Sequence, residues 1–161
     1  MGTFQTAIKR AELLTPTKAS RDLFIFIKSI EDEVFDLNIK QIQNAENSEG
    51  KPLINSDSKF TGVYSKATEA FAELENPVLP KKEGKLYNFG WTGDFLGNFQ
   101  MDVFPDHVAV YSTGDGGNNE KQAFFDGYKS IYGLSPKSIA IIIEKRILPY
   151  LQDYYVKGLI G

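Results

Sequence analysis

Twelve residues, Asn88-Phe89-Gly90-Trp91-Thr92-Gly93-Asp94-Phe95-Leu96-Gly97-Asn98-Phe99, hold the only tryptophan of the chain together with three phenylalanines and three glycines. A Thr-Gly-Asp turn flanked by aromatic residues fixes where a strand begins, because the turn sets the backbone direction and the rings anchor it. Phe95, Phe99, Met101 and Val103 share one parity, interrupted at Gly97. Pro105-Asp106 then turns the chain into a second alternating run, residues 107–112, with Val108, Val110 and Ser112 on one face. The pair reads as an antiparallel hairpin. Asp94 is the only residue of the twelve able to move a proton near neutral pH, so the segment reads as scaffold and not as a catalytic loop.

Helical periodicity surrounds this hairpin. Leu23, Ile27, Ile30, Val34 and Leu37 recur at spacings of three and four and predict one long helix from a Ser20 N-cap to about Asn44, ended by Gly50 and Pro52. Phe24 and Phe26 widen its apolar surface, as burial on two sides or against another subunit would require. Tyr64, Ala67, Phe71 and Leu74 predict a short helix, after which Asn76-Pro77 and Leu79-Pro80 impose an extended path toward Lys85. Phe124, Phe125, Tyr128 and Ile131 cluster in a helix expected over residues 120–131, closed by Gly133. Ser135-Pro136 opens a final helix with Ile139, Ile142, Ile143, Ile147, Tyr150 and Tyr154 along its buried stripe and a kink at Pro149. The expected fold is α+β, an antiparallel sheet packed against a long N-terminal helix and a C-terminal helix. Residues 1–18, weakly periodic and ending in Thr15-Pro16-Thr17, read as a flexible arm on a core of residues 19–161.

Composition removes whole classes of chemistry. A chain of 161 residues suits one domain. Without cysteine there is no disulfide, thiolate nucleophile or cysteine-held metal, and a single histidine, His107, cannot build a multi-histidine site. The longest aliphatic run, residues 139–143, is far short of a membrane span, and the N-terminus lacks an apolar signal core, so a cytoplasmic site of synthesis and use is expected. A net charge of −3 offers no general attraction to nucleic acid, although Lys81, Lys82 and Lys85 form a local basic cluster. The 13% aromatic fraction points to a core or contact surface rich in rings.

The remaining candidate constellations are weak. Asp106-His107 with Ser112 or Ser65 would suit a hydrolase, but there is no Gly-x-Ser-x-Gly elbow and the pair follows a proline at a turn. Asp115, Asn119 and Glu120 are too few oxygen ligands for a calcium loop, and the glycine-rich stretch around them lacks the phosphate-loop Gly-Lys-Ser/Thr ending, so a flexible connection is expected. Asp94, Asp102 and Asp106 could hold magnesium only if a turn, a strand and a second turn converged. Tyr150, Tyr154 and Tyr155 could stack on bases, but their spacing suits helix packing better. Trp91, beside its turn, is expected to be substantially buried against a helix.

The order of short motifs carries a resemblance. Gly50-Lys51-Pro52-Leu53, then Gly62-Val63-Tyr64-Ser65 with Thr68, Trp91-Thr92-Gly93-Asp94-Phe95, Tyr111-Ser112-Thr113, Tyr132-Gly133-Leu134-Ser135 and a last helix ending near Leu159 follow one another over about residues 20–159. This resembles the virion-morphogenesis, tail-completion and head-tail connector proteins of long-tailed bacteriophages, including forms in phages and integrated elements of Bacteroidota-type hosts. The resemblance implies a ring-forming neck or tail-completion subunit, assembled in the host cytoplasm and resident in the virion, with no catalytic residue, cofactor or metal. Its implied partners are further copies of itself and portal, adaptor or tail-tube proteins, with non-specific proximity to channel DNA and no membrane contact. The rival readings are an assembly chaperone, and a small hydrolase or nuclease using Asp94, Asp102 or His107. Residues 1–18, 76–85 and 114–119 are the segments expected to make extended subunit contacts.

Overall fold

A computed structural model describes residues 3–13, 15–56, 62–115, 124–128 and 130–160. The chain opens with helix α1, Thr3–Leu13, so the segment read as an arm carries a helix, and that helix lies against the last one. Helix α2, Pro16–Ser29, starts earlier than expected. Thr15, not Ser20, is its N-cap, its side chain accepting the Lys18 N–H at 3.2 Å with Pro16 at the first helical position.

The long N-terminal helix is in fact two. Ile30 leaves helical geometry at φ −114° and ψ 22°, and α3, Glu31–Gln43, begins immediately after it. The break has a sequence cause in Glu31, Asp32 and Glu33, three carboxylates that are favourable at the positive end of a helix dipole and unfavourable in its middle. The hydrophobic periodicity runs straight through the break because both helices face the same core.

Helix α4, Lys66–Glu75, is capped by Ser65, whose hydroxyl accepts the Thr68 N–H, and ends at Asn76 in the left-handed region. Its buried side is Ala72. Of the residues placed on one side of the predicted helix, Tyr64 is buried while Phe71 and Leu74 are exposed. A single helical turn, α5, Asp94–Gly97, follows the Thr92-Gly93 turn and leads into strand β1, Phe99–Val103, which pairs antiparallel with β2, Val108–Ser112, in the register Phe99 to Ser112 and Val103 to Val108. The hairpin and the α+β class are as the sequence predicts. Phe104 N–H bonds His107 carbonyl across the connection.

The final helical segment comprises α6, Pro136–Ile142, a π-helical turn, Ile143–Ile147, and α7, Leu148–Ile160. Pro149 explains the wide turn: it offers no N–H, and its ring crowds the carbonyl four residues back, so the backbone changes its bonding pattern just upstream. Among the described residues no helix is long and apolar enough to cross a membrane.

Two clusters hold these elements together. The larger gathers Ile42, Ala45, Leu53, Phe95, Leu96, Phe99, Tyr128 and Ile131; the smaller joins Val34 of α3, Met101 of β1 and Ile142 of α6. The sheet is thus packed against α3 and α6. Between the clusters α3 presents two buried amides. Asn38 donates to Ile131 carbonyl (3.3 Å) and accepts from Gly133 N–H (3.1 Å), while Gln41 donates to Gly133 carbonyl (3.1 Å) and accepts from Ser135 N–H (2.7 Å). Together they satisfy four backbone groups of the stretch leading into α6, two of them buried and the two of Gly133 part-buried. Of the helix expected over residues 120–131, residues 120–123 lie outside the described residues; residues 124–126 are helical, Ser130 has φ 59° and Ile131 is no longer helical, and its four apolar residues do cluster.

Candidate functional site

The proline-rich stretch after α4 folds back on the aromatic segment. Val78 and Leu79 N–H groups bond the carbonyls of Trp91 and Gly90, and the approach is so close that a Cβ at Gly90 would lie 2.5 Å from the Leu79 side chain. Tyr64 pairs in the same way with residues 84 and 85. Asn88 is the hub of this arrangement. Its Oδ1 accepts from Tyr64 Oη (3.0 Å), Lys81 Nζ (2.5 Å) and Gly90 N–H (3.3 Å), and its Nδ2 donates to Pro80 carbonyl. Phe89, at φ 55°, turns its ring into a group formed by Phe95, Phe124, Phe125 and Tyr128.

The result is a cavity of about 370 Å³ walled by seven aromatic residues, among them Tyr64, Phe89, Trp91 and Phe125. Exposed Thr92 and Asp94 stand at its rim, Thr92 Oγ1 donating to Asp94 Oδ2 at 2.8 Å. Lys81 also lines it. Only 3% exposed, its ammonium lies 5.5 Å from the Tyr64 ring centre and 5.9 Å from that of Trp91, and donates to Asn88 Oδ1 and to Gly90 carbonyl at 2.8 Å. Both acceptors are neutral. Burial without a carboxylate lowers the Lys81 pKa to about 8. Burial likewise raises the Tyr64 phenol, against the hydrogen bond it receives from Asn88 N–H.

The neighbouring acids are committed elsewhere. Lys82 takes Glu69 at 2.6 Å and Glu73 at 3.6 Å, and Trp91 Nε1 donates to Glu75 at 3.1 Å. The expected basic cluster therefore dissolves: one lysine is buried, and the next is paired with acids. Trp91 does tie its turn to α4, but it is half-buried and not enclosed.

The residues singled out for chemistry lie apart. His107 Nδ1 and Asp106 Oδ1 are 2.7 Å apart at the exposed hairpin tip, where His107 stacks on Phe104 with ring centres 4.6 Å apart. Ser112 is buried at the opposite end of the hairpin, donating to Phe95 carbonyl and accepting from Gly114 N–H, while Ser65 caps α4. Asp94 begins α5, Asp102 sits in β1 opposite Ala109, and Asp106 is at the tip. No group of three or more His, Asp or Glu residues able to hold a metal occurs among the described residues. Asp115 closes a short 3-10 turn, Thr113–Asp115; Asn119 and Glu120 lie outside the described residues. Tyr150 stacks on Phe26 at 4.1 Å and Tyr154 donates to Asp22 at 3.0 Å, so both fasten α7 to α2.

The Lys81 environment was absent from the sequence reading, which treated the residue as one of three surface lysines. A lysine directly after Leu79-Pro80 and facing a tyrosine, an asparagine and a tryptophan is a signal only once the loop is known to fold back. No family profile, curated protein or solved structure matches the chain.

Proposed function

We propose that the protein is a non-enzymatic structural subunit of a tailed-phage virion, joining head and tail as part of a neck or tail-completion ring. The observation that carries the reading is an unpartnered apolar surface. Phe71 is 61% exposed and Leu74 83% exposed on α4, and Val78 beyond its cap is 65% exposed. Phe71 and Leu74 lie one helical turn apart, and two large apolar side chains left together in solvent fit a contact with another protein. The motif order supplies the class of assembly, with further copies of the chain and a portal, adaptor or tail-tube protein as partners and the virion as location.

Mass spectrometry of purified particles tests the reading, with gold labelling of an epitope-tagged copy in electron micrographs. A fixed copy number per virion and label confined to the neck are expected. Presence in assembly intermediates alone would make it a chaperone, and a nuclease or hydrolase activity abolished by His107→Ala or Asp94→Ala would make it an enzyme.

A further inference from the structure

Two features at opposite ends of the β1-β2 hairpin complement each other. At one end lies the aromatic cavity, reached through Phe95 just before β1. It holds an ammonium with three N–H donors but, among the described residues, only two acceptors, neither of them charged. At the other end the tip presents Phe104, 42% exposed, and Asp106, whose side chain is 84% exposed. A hairpin tip is ordinarily built from polar turn residues, so an aromatic ring offered there beside a carboxylate calls for a destination. His107 supports both, its ring stacked on Phe104 and its Nδ1 bonded to Asp106, whose carboxyl it holds below the usual carboxylate range.

Resting on the ring reading above, we propose that the hairpin tip of one copy seats in the cavity of the next, Phe104 entering the aromatic walls and Asp106 supplying the carboxylate that Lys81 lacks. The occupant is a second copy of this chain because the chain itself carries the matching ring and charge. It cannot be the same copy: β1 runs five residues from cavity to tip, a distance of roughly 16 Å at strand rise. A contact between two different surfaces is head-to-tail, and such contacts close into rings or propagate as filaments. Asp94 at the rim opposes a second acid, but its carboxylate is turned to Thr92, and a single tip carboxylate meeting a desolvated ammonium gains a charge-assisted bond.

A peptide of residues 102–108, which has no tryptophan, is titrated into the wild-type protein while the emission of Trp91 is followed. A saturable change is expected, weakened at least tenfold when Asp106 of the peptide becomes Asn or Phe104 becomes Ala. The protein is unaltered throughout, so no variant has to fold. The absence of cysteine allows a second test in the intact chain. Val103→Cys, beside the ring at the end of β1, and Thr68→Cys, in the cavity wall, are prepared separately, so that Phe104 and Asp106 stay in place; the oxidised mixture should give a disulfide-linked heterodimer that neither variant gives alone. No saturable response, a response indifferent to the carboxylate, or crosslinking no faster in the mixture than in either variant overturns the proposal. If it fails while the particles hold a ring of the protein, the ring reading stands without this contact. If peptide and crosslink succeed but the protein is absent from virions, the contact stands and the phage reading falls.

Discussion

Asn88 Oδ1 accepts three hydrogen bonds, from a phenol, an ammonium and an amide, and so joins residues 64, 81 and 90 at one atom. Asn88→Ala leaves all three donors short of an acceptor in a part-buried place and should cost about 1–3 kcal/mol, measured by urea denaturation. Lys81 gives a pH signature with a definite sign. Its pKa falls from 10.5 unfolded to about 8 folded, so between these values the unfolded chain binds more protons and stability rises with pH. The burial penalty is present in full below about pH 8 and is relieved toward 10.5. Unfolding free energies of wild type and Lys81→Met, compared across pH 7–10.5, should therefore diverge in favour of wild type as pH rises; a constant difference would deny the depressed pKa. Trp91→Ala should cost less than the ~3–5 kcal/mol of a fully enclosed ring, because this ring is half-buried.

Among the elements, the hairpin was legible because alternation of period two and a proline turn are local signals. The boundary at Ile30 was not read, yet its cause was in plain view: three successive acids belong at a helix start. Helix α4 shows a different limit. The spacing of Tyr64, Ala67, Phe71 and Leu74 gives a face and not what the face meets, and here Ala72 is the side that is covered. The cavity was unreadable for a different reason, since it depends on residues 78–91 folding back through backbone pairing that no periodicity encodes. The amides of α3 carry no local signal, because an Asn or Gln on a helix reads the same whether it meets water or a loop 92 or 93 residues away. Asn38→Leu or Gln41→Leu each strands one buried and one part-buried backbone group and should lower stability by about 2–3 kcal/mol in chemical denaturation, despite the added apolar surface. Because Thr15 and Pro16 open α2, the separable N-terminal segment ends before them. Deleting residues 1–13 should preserve the circular dichroism of the remaining helices while reducing entry into particles; unfolding would place α1 in the core.

Across the whole molecule, polar ties fasten the last helices to the first. Arg146 grips Glu33 at 2.6 Å, and Phe26 and Asp22 hold Tyr150 and Tyr154. Helix α4 instead carries Leu74, which at 83% is the most exposed large apolar residue among those described, together with Phe71. Replacing Phe71 and Leu74 together by Ser should leave the midpoint of thermal unfolding almost unchanged and yet reduce incorporation into virions, a separation that a purely internal role for these residues would not give. The amide ladder of α3 also has a consequence in time. Asn38 and Gln41 meet partners 92 to 95 residues further along the chain. At bacterial or eukaryotic translation speeds the ribosome needs about 5 to 20 s to make that stretch. During the wait the two amides have none of these partners to bond, so the polar ladder that fixes the last helices closes only after residues 131–135 have been made.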